Sequence, residues 1–375
     1  MPVLAGGPGR PRETTGAVQR FPVVLDLPSD SMIESGPPEA VEEAASQRAD
    51  ARAARDWPTA DRLRGEIEAA GWRVIDAGTA YRLERASPPD VDVGGEIRYG
   101  RSDAVPSRLD DPATGVASVV VVASPDRSET ERVLEALRAT VPDGVDVVLV
   151  ADGLPNAALV GLTIVADTGG AAKQSGSGGP PFEPRVEPPI ELVRTSEPLG
   201  HAAALNIGIR RARAPIVVVL DPSVVPRGDV VTPLVEALGA PDVAIAGPFG
   251  LRSSDLRHFD EPATADAGAV TATTGVAAIQ GYLMAFRRAD AVERGPLDEA
   301  FRFYRNLDIW WSLVLRDEGE DVAPRRAAVV AGLPLDRGEP RAWVTTPPAV
   351  RDRLSKRNFY RILDRFRARP DLASS

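Results

Sequence analysis

Two valine-rich runs separated by an amphipathic segment constrain the fold of this chain more than any other feature. Residues 117–123 and 145–150 are Val-rich runs with one polar residue each, Ser118 and Asp146, and such runs are typical of strands buried on both faces of a parallel sheet. The segment 129–140 between them has the periodicity of a helix. Strand, helix and strand at this spacing predict a right-handed crossover in a parallel sheet. A helix at about 201–212 and a strand at 215–220 extend the pattern, so we predict an α/β domain with a mostly parallel sheet and flanking helices.

The composition excludes several classes of site. The 375 residues include no Cys, which excludes disulfides, thiolate nucleophiles and Cys-ligated zinc, and only two His, His201 and His258. The formal net charge of -10 argues against nucleic-acid binding by the whole chain, because phosphate backbones attract basic surfaces. The N-terminal residues lack the apolar core of a signal peptide, and no apolar run approaches the length of a membrane span. We therefore expect a cytoplasmic protein.

Changes in composition divide the chain into five parts. Gly, Pro and Ser are concentrated in segments without hydrophobic periodicity, which is typical of tails, linkers and mobile insertions. The expected parts are a disordered tail at 1–35, a helical hairpin module at 36–86, a linker at 87–115, an α/β domain at 116–346 with a mobile insertion at about 168–189, and a basic amphipathic helix at 347–370.

The C-terminal segment predicts a helix with one apolar stripe and an Arg-rich flank. The stripe consists of Val350, Leu354, Phe359, Ile362, Leu363 and Phe366. Such a stripe either packs on the parent domain or lies on an anionic membrane surface. The second alternative would place the protein peripherally at the inner face of the membrane, beside a lipid or polymer acceptor.

The N-terminal module has clear helix signals. Asp56 is placed to cap a second helix with Pro58 in its first turn, and Gly71 ends that helix before two short alternating strands. Over about 39–86, the order and spacing of four segments, 51–57, 60–64, Ile67 and 71–76, resemble the C-terminal helical domain of cysteinyl-tRNA synthetases, without the synthetase's catalytic domain. The resemblance leaves two interpretations. One is a packing or docking module, which we favour, and the other is a tRNA-binding accessory.

Polar side chains follow three of the expected strands. Ser124 and Asp126 follow the first strand, Asp152 follows the second, and Asp221 follows the strand at 215–220. Ligands of open α/β sheets bind outside the carboxyl ends of the strands. A single acid there is often a loop-forming or capping residue, but several acids at corresponding strand ends favour a binding site.

A further isolated acid, Asp308, precedes an apolar run that ends at Arg316. Asp308 is either an N-cap, which accepts from a backbone N–H, or a general base. The neighbouring Trp310 and Trp311 project about 100° apart on a helix, so we expect that they cannot both face one core. Either one ring stacks against a sugar or both are packing aromatics.

Six segments in order resemble the family 2 glycosyltransferases, which are inverting enzymes with the GT-A fold. They cover about 116–346 and comprise 117–124, 147–153, 199–209, 218–226, 280–288, and 295–301 leading into Asp308. The resemblance implies that Asp152 accepts from the base of a nucleotide, with Ser124 and Asp126 at the neighbouring strand end. It implies that Asp221 faces the diphosphate and a divalent cation, Mn²⁺ or Mg²⁺. Asp308 would be the base that takes the proton from an acceptor hydroxyl.

The acceptor side and the departures from the family pattern leave alternatives open. Gly281 and Tyr282 either floor the acceptor site or form a tight turn. Ser223 stands at the second acid of the Asp-x-Asp motif, and Leu307 and Trp310 stand where relatives have acids beside the base. The first hypothesis is an inverting glycosyltransferase that uses a nucleotide-diphosphate sugar and an unknown glycan, lipid-linked or small-molecule acceptor, in cell-envelope or polysaccharide synthesis. The alternatives are a degenerate, non-catalytic protein that binds a nucleotide sugar or a partner, and a tRNA-binding accessory.

Overall fold

The computed structural model describes residues 37–77, 80–159, 162, 187–262 and 273–374. The chain divides into two compact units, which meet in the sequence at Ala86 and Ser87. The predicted tail at 1–35 and residues 168–186 of the predicted insertion lie outside the described residues.

The N-terminal unit is a pair of helices followed by a β-hairpin. Helix α1 spans Glu39–Ala53, α2 spans Trp57–Ala69, and the antiparallel strands β1 and β2 span Trp72–Ala77 and Ala80–Arg85. The Asp56 carboxylate caps α2 by accepting from the Thr59 N–H at 3.3 Å, and Pro58 stands in the first turn, as the sequence predicts.

A part-buried ion pair ties the helices of this unit to its hairpin. The guanidinium of Arg48 donates to both carboxylate oxygens of Asp76, at 2.8 and 3.0 Å, and these bonds lower the pKa of Asp76. Ile67 and Trp72 pack beside this pair with Val41. The similarity of the unit to a synthetase domain stays a prediction.

The second unit contains the remaining strands and helices. The strands are β3 Val91–Val93, β4 Glu96–Arg98, β5 Ala117–Val122, β6 Val145–Ala151, β7 Ile190–Arg194, β8 Ile216–Leu220, β9 Val224–Pro226, β10 Val243–Gly247, β11 Gly250–Leu251, β12 Thr273–Val276, β13 Ala278–Ile279, β14 Leu283–Arg287, β15 Arg326–Val329 and β16 Leu335–Arg337. The helices are α3 Arg127–Thr140, α4 His201–Arg211, α5 Val231–Ala237, α6 Arg288–Arg294, α7 Leu307–Arg316, α8 Arg341–Thr345 and α9 Pro348–Phe366, with short 3₁₀ turns at Asn156–Ala158 and Pro370–Leu372.

Within the described part of this unit, eight strands form one central sheet in the order β12-β15-β10-β14-β8-β5-β6-β7. Strands β8, β5, β6 and β7 are parallel to one another, and β10 is parallel to β15. Strand β14 runs antiparallel between β8 and β10. The predicted α/β class, a large sheet with flanking helices, is confirmed.

The antiparallel strand matters for the position of functional residues. Because β14 runs opposite to β8, the residues that precede β14 lie beside the residues that follow β8. The Asp221 N–H donates to the Tyr282 carbonyl at 3.0 Å across this junction. The topology therefore brings Gly281 and Tyr282 to the carboxyl end of β8.

The alternation of side chains along the central strands fills two cores, one on each face of the sheet. Val120 and Val148 belong to a core that also contains α4 and α7. Val119 and Val147 face the other core, which contains α3 and α5. The Val-rich runs of the sequence are thus buried on both faces, as expected for strands in the middle of a sheet.

Helix α7 is covered on both sides, which corrects the prediction about its two Trp residues. Trp311 is fully buried and meets Phe286 edge-on with 5.5 Å between ring centroids, and Trp310 packs against Phe301 at 5.6 Å. Both rings lie in the same core, although they project from different sides of the helix, because that core surrounds α7. The packing alternative is therefore the one that the structure shows, and neither ring is exposed to stack against a sugar.

Residues 87–115, predicted as a linker, are packed on the α/β unit. Strands β3 and β4 form a small hairpin, and Val105 is 1% exposed in the main core. The Arg108 N–H donates to the Arg210 carbonyl at 2.7 Å. The high Pro and Gly content predicted an unstructured segment, but backbone pairing with α4 satisfies polar groups that a free linker would leave to water.

The C-terminal helix α9 packs its apolar residues into the main core. Leu354, Ile362 and Phe366 are buried. The amide of Asn358 donates to the carbonyls of Phe303 and Arg305, at 2.9 and 2.8 Å. The packing alternative for this helix is thus realised, and contact with a membrane stays a prediction. No helix among the described residues combines the length and apolarity that crossing a membrane requires.

Candidate functional site

A cavity of about 480 Å³ opens at the carboxyl ends of β5 and β8. This is the edge at which α/β sheets bind ligands, and the volume suits a small molecule. The predicted site residues on its wall are Ser124, Asp221, Gly281, Tyr282 and Asp308. The cavity therefore unites the acid that follows β8 with the acid that begins α7, which are far apart in the sequence.

Of the two carboxylate oxygens of Asp221, only Oδ1 accepts hydrogen bonds from the described residues. Its Oδ1 accepts from the Ser223 N–H at 2.8 Å and from the Ser223 hydroxyl at 2.5 Å. Burial raises the pKa of Asp221, although both bonds from Ser223 lower it, and the nearby negative charge of Glu129 raises it further. Ser223 thus orients Asp221 instead of adding a second negative charge.

Asp308 lies in the first turn of α7 and its carboxylate is held in place by two backbone groups. Its Oδ2 accepts from the Gly281 N–H and its Oδ1 from the Ile309 N–H, both at 2.9 Å. Burial raises the pKa of Asp308, and these two hydrogen bonds partly oppose that rise. A raised pKa brings a carboxylate closer to the range in which it can exchange protons near neutral pH.

The N-cap position of α7 is held by Asn306 and not by Asp308, although the Asp308 carboxylate accepts from one backbone N–H of the first turn. Asn306 has φ of 69°, in the left-handed region, and makes no side-chain capping bond. Its amide instead donates to the Ser355 carbonyl of α9 at 2.9 Å. Asp308 is the second residue of the helix, which leaves its carboxylate directed at Gly281 and the cavity.

Gly281 allows the close approach between β14 and α7. A Cβ added at this position would lie 3.3 Å from the Asp308 Cβ and 3.7 Å from its Oδ2. Beside it, the ring of Tyr282 packs with its neighbours: the Arg337 guanidinium lies 4.4 Å from the Tyr282 ring centroid and 4.5 Å from that of Phe249. Gly281 and Tyr282 therefore form a rigid wall of the cavity next to Asp308.

Asp152 does not line the cavity. Its Oδ1 accepts from the Leu199 N–H at 2.7 Å and from the Thr195 hydroxyl at 3.0 Å, and its Oδ2 accepts from the Gly200 N–H at 3.0 Å. Burial raises the pKa of this carboxyl despite these bonds. In this structure Asp152 organises the loop that leads into α4, and a contact with a nucleotide base stays a prediction.

Ser124 lines the cavity, whereas Asp126 does not and instead caps α3. Asp126 is the N-cap of α3, where it accepts from the Ser128 N–H at 3.0 Å, and it also accepts from Arg341 at 2.7 Å. Ser124 lines the cavity and its hydroxyl donates to the Glu129 carboxylate at 2.6 Å. Asp126 therefore acts on the cavity through Arg341.

The structure adds residues that the sequence reading missed. Glu129, His201, Gln280 and Arg341 also line the cavity. Burial lowers the pKa of His201 to about 4, so this imidazole is neutral at pH 7. The Gln280 side chain is 8% exposed, and among the described residues its amide nitrogen has no hydrogen-bond partner. Glu129 could have been found from the sequence, because it lies close to Ser124 in the first turn of α3. The sequence around Arg341 contains no pattern that indicates a site.

The acidic groups of the cavity suit a divalent cation only together with a ligand. Among the described residues no group of three or more His, Asp or Glu side chains is arranged to hold a metal ion. Asp221 offers a carboxylate oxygen without a hydrogen-bond partner among those residues, with Glu129 close enough to perturb it. Mg²⁺ and similar ions are commonly held by one or two carboxylates plus substrate phosphates and water. The carboxylates of Asp221 and Glu129 fit a cation that is also held by substrate phosphates. Among the described residues, they do not make a site that could hold the cation by protein ligands alone.

Comparison with known proteins finds a family match over part of the chain. The family model of "Glycosyl transferase family 2" matches residues 182–292, a stretch that includes Asp221 and Gly281 but ends before Asp308. A search of curated proteins finds no match.

Two solved structures resemble the chain distantly. The crystal structure of GalNAc-T7 with UDP, GalNAc and Mn²⁺ gives a TM-score of 0.47 at 14% identity, over 68% of this chain and 48% of that one. The mannosyltransferase PcManGT from Pyrobaculum calidifontis, in complex with GDP-Man and Mn²⁺, gives a TM-score of 0.37 at 17% identity, over 71% and 78%. This chain thus spans about half the length of the first structure. The similarity to family 2 glycosyltransferases lies in residues 182–292.

Proposed function

We propose that this protein is an inverting glycosyltransferase, which transfers a sugar from a nucleotide-diphosphate donor to the hydroxyl of an acceptor. The observation that supports this proposal most is the shared cavity of Asp221 and Asp308. One acid follows a strand at the ligand-binding edge of the sheet, and the other is half-buried, with a pKa that is raised by this burial. The family 2 match over residues 182–292 supports the same reaction class.

Asp308 is proposed as the general base. Its carboxylate accepts the proton of the acceptor hydroxyl while that oxygen attacks the anomeric carbon of the donor. The bond from the anomeric carbon to the diphosphate breaks in the same step, and the nucleoside diphosphate leaves with the bonding electrons. A single displacement of this kind inverts the configuration at the anomeric carbon. The N–H groups of Gly281 and Ile309 hold the carboxylate in one orientation.

Asp221 is proposed to face the diphosphate of the donor. A divalent cation bound between Asp221 and the phosphates would neutralise the charge that develops on the leaving group. The Ser223 N–H and hydroxyl fix one oxygen of Asp221, so the other oxygen is the one available toward the cavity. Tyr282 and Gly281 are proposed to bound the space in which the acceptor lies, next to Asp308.

The proposal is tested with a panel of nucleotide sugars. Release of nucleoside diphosphate from one of them, with an acceptor or with water, is expected in the presence of Mn²⁺ and is expected to be abolished by Asp308→Asn. Binding of a nucleotide sugar without turnover, for any donor and divalent cation, would instead support the degenerate, non-catalytic alternative. That alternative is motivated by Ser223, which removes a second acid from the diphosphate side.

A further inference from the structure

Arg341, at the start of α8, is a cation on the wall of the cavity that contains Asp221. Its Nη1 donates to Oδ2 of Asp126 at 2.7 Å and to Oε1 of Glu129 at 3.0 Å. Among the described residues, no hydrogen bond engages Nη2 or Nε of Arg341. A guanidinium has five N–H donors in a planar fork, so most of its donor capacity is still available to a ligand.

The bonds that hold Arg341 at rest are easily exchanged. The side chains of Arg341, Asp126 and Glu129 are 37%, 35% and 23% exposed. Ion pairs this exposed to water contribute little to stability, because solvent screens them and ordering two side chains is costly. Both carboxylates also keep other hydrogen bonds when Arg341 leaves, Asp126 to Ser128 and Glu129 to Ser124.

A diphosphate bound beside Asp221 would need positively charged groups nearby, because the carboxylates of the cavity repel it. Four carboxylates line the described part of the cavity, those of Glu129, Asp221, Glu261 and Asp308, and Arg257 and Arg305 line it in addition to Arg341. A nucleoside diphosphate would add further negative charge beside Asp221. Glu129 contacts Arg341 and also accepts from Ser124, which follows β5, and β5 pairs with β8, the strand that Asp221 follows. Arg341 therefore lies on the same side of the cavity as Asp221. Arginine binds phosphate in a two-pronged geometry that a point charge cannot reproduce.

We infer that Arg341 is a diphosphate-binding residue, which leaves Asp126 and Glu129 and pairs with the donor phosphates when a nucleotide-diphosphate sugar enters the cavity. This inference rests on the proposed function and deepens it. A protein cation at the diphosphate gives nucleoside diphosphates a measurable affinity without divalent metal. Mn²⁺ then strengthens binding but is not a condition for it.

The experiment is calorimetric titration of the full chain with UDP and with GDP, in EDTA and in MnCl₂. The variants are Arg341→Gln, which removes the charge, and Arg341→Lys, which keeps the charge but loses the planar fork. The matched control is Arg326→Gln. Arg326 forms a comparable ion pair with Asp242 at 2.6 Å and does not line the cavity. Thermal unfolding of each variant establishes that it is folded.

The wild type is expected to bind at least one of the two nucleotides in EDTA. Arg341→Gln is expected to weaken that binding by about tenfold or more, since charge-assisted hydrogen bonds are lost. Arg341→Lys should bind with intermediate affinity and Arg326→Gln like the wild type. If Arg341→Gln does not fold, the weaker binding by Arg341→Lys decides the question.

Three outcomes would overturn the inference, and they differ in what else they reject. Equal affinity of the wild type and the Arg341 variants in EDTA and in MnCl₂ would reject a role for Arg341 but leave the proposed function standing. Binding by the wild type only in MnCl₂ would do the same. No binding of either nucleotide by the wild type in any condition would reject the proposed function, and this inference with it.

Discussion

The substitution Asp308→Asn separates the chemical role of this acid from its structural role. The variant keeps the shape of the side chain but has one acceptor oxygen where Asp308 has two. In the wild type, the N–H groups of Gly281 and Ile309 each donate to a different oxygen of Asp308, at 2.9 Å. In the variant, one of these two N–H groups therefore loses its acceptor. A buried group left without a partner costs about 1–3 kcal/mol. Removing a half-buried negative charge acts in the opposite direction.

These opposing effects predict a folded variant with little change in stability. We expect the free energy of unfolding to change by no more than about 2 kcal/mol. Loss of a general base, in contrast, is expected to lower kcat by about 100- to 10,000-fold. That range corresponds to about 3–5 kcal/mol of transition-state stabilisation.

The assay measures nucleoside diphosphate released from the donor, alongside urea unfolding of the same preparations. The matched control is Asp229→Asn. Asp229 also accepts two backbone N–H bonds, from Val231 and Thr232, but does not line the cavity. The control is expected to retain full activity. If Asp308→Asn is folded and keeps more than about a tenth of the wild-type kcat, Asp308 is not the base.

Three further predictions follow from the site and its surroundings. Because burial raises the pKa of Asp308, kcat should fall as the pH is lowered through a value above the ordinary Asp pKa of about 3.9, and an acidic limb at or below that value in a pH–rate profile would contradict this. Ser223→Asp restores a second acid and should tighten Mn²⁺ binding in the presence of nucleotide by roughly tenfold, and an unchanged Mn²⁺ titration would count against Asp221 as a metal ligand. Trp311→Ala should cost about 3–5 kcal/mol of unfolding free energy and Trp311→Phe clearly less, since the buried indole N–H has no partner among the described residues; small effects of both in denaturant titrations would refute a packing role.

The sequence was sufficient for the acids whose patterns are local. Asp221 follows an apolar strand and Asp308 stands at the start of an apolar helix, and both signals lie within a few residues of the acid itself. Arg341 could not be found in this way. Its partner Glu129 is 212 positions away in the chain, and only the folded topology brings α8 to the start of α3.

The Trp residues of α7 show a second limit of sequence patterns. Helix geometry predicts the angle between the Trp310 and Trp311 side chains. It does not predict how many faces of α7 are packed against the rest of the protein. Every residue from Ile309 to Arg316 is buried, so the protein packs around all sides of this helix. A helix with apolar residues on all its faces is a sequence signal for such burial. The same applies to residues 87–115, whose composition predicted a linker while their backbone pairs with α4.

The two asparagines that join α9 to the loop before α7 change how deletions of the C-terminus should be interpreted. Asn358 and Asn306 are the amides that make these contacts, and Phe359 of α9 also lines the cavity. A chain shortened to end before Pro348 would keep Asp221 and Asp308 but lose the contacts that hold the loop before α7, together with the buried side chains of α9. Inactivity of such a chain would therefore follow from a disturbed loop and core, and it could not be taken as evidence that the helix serves to attach the protein to a membrane.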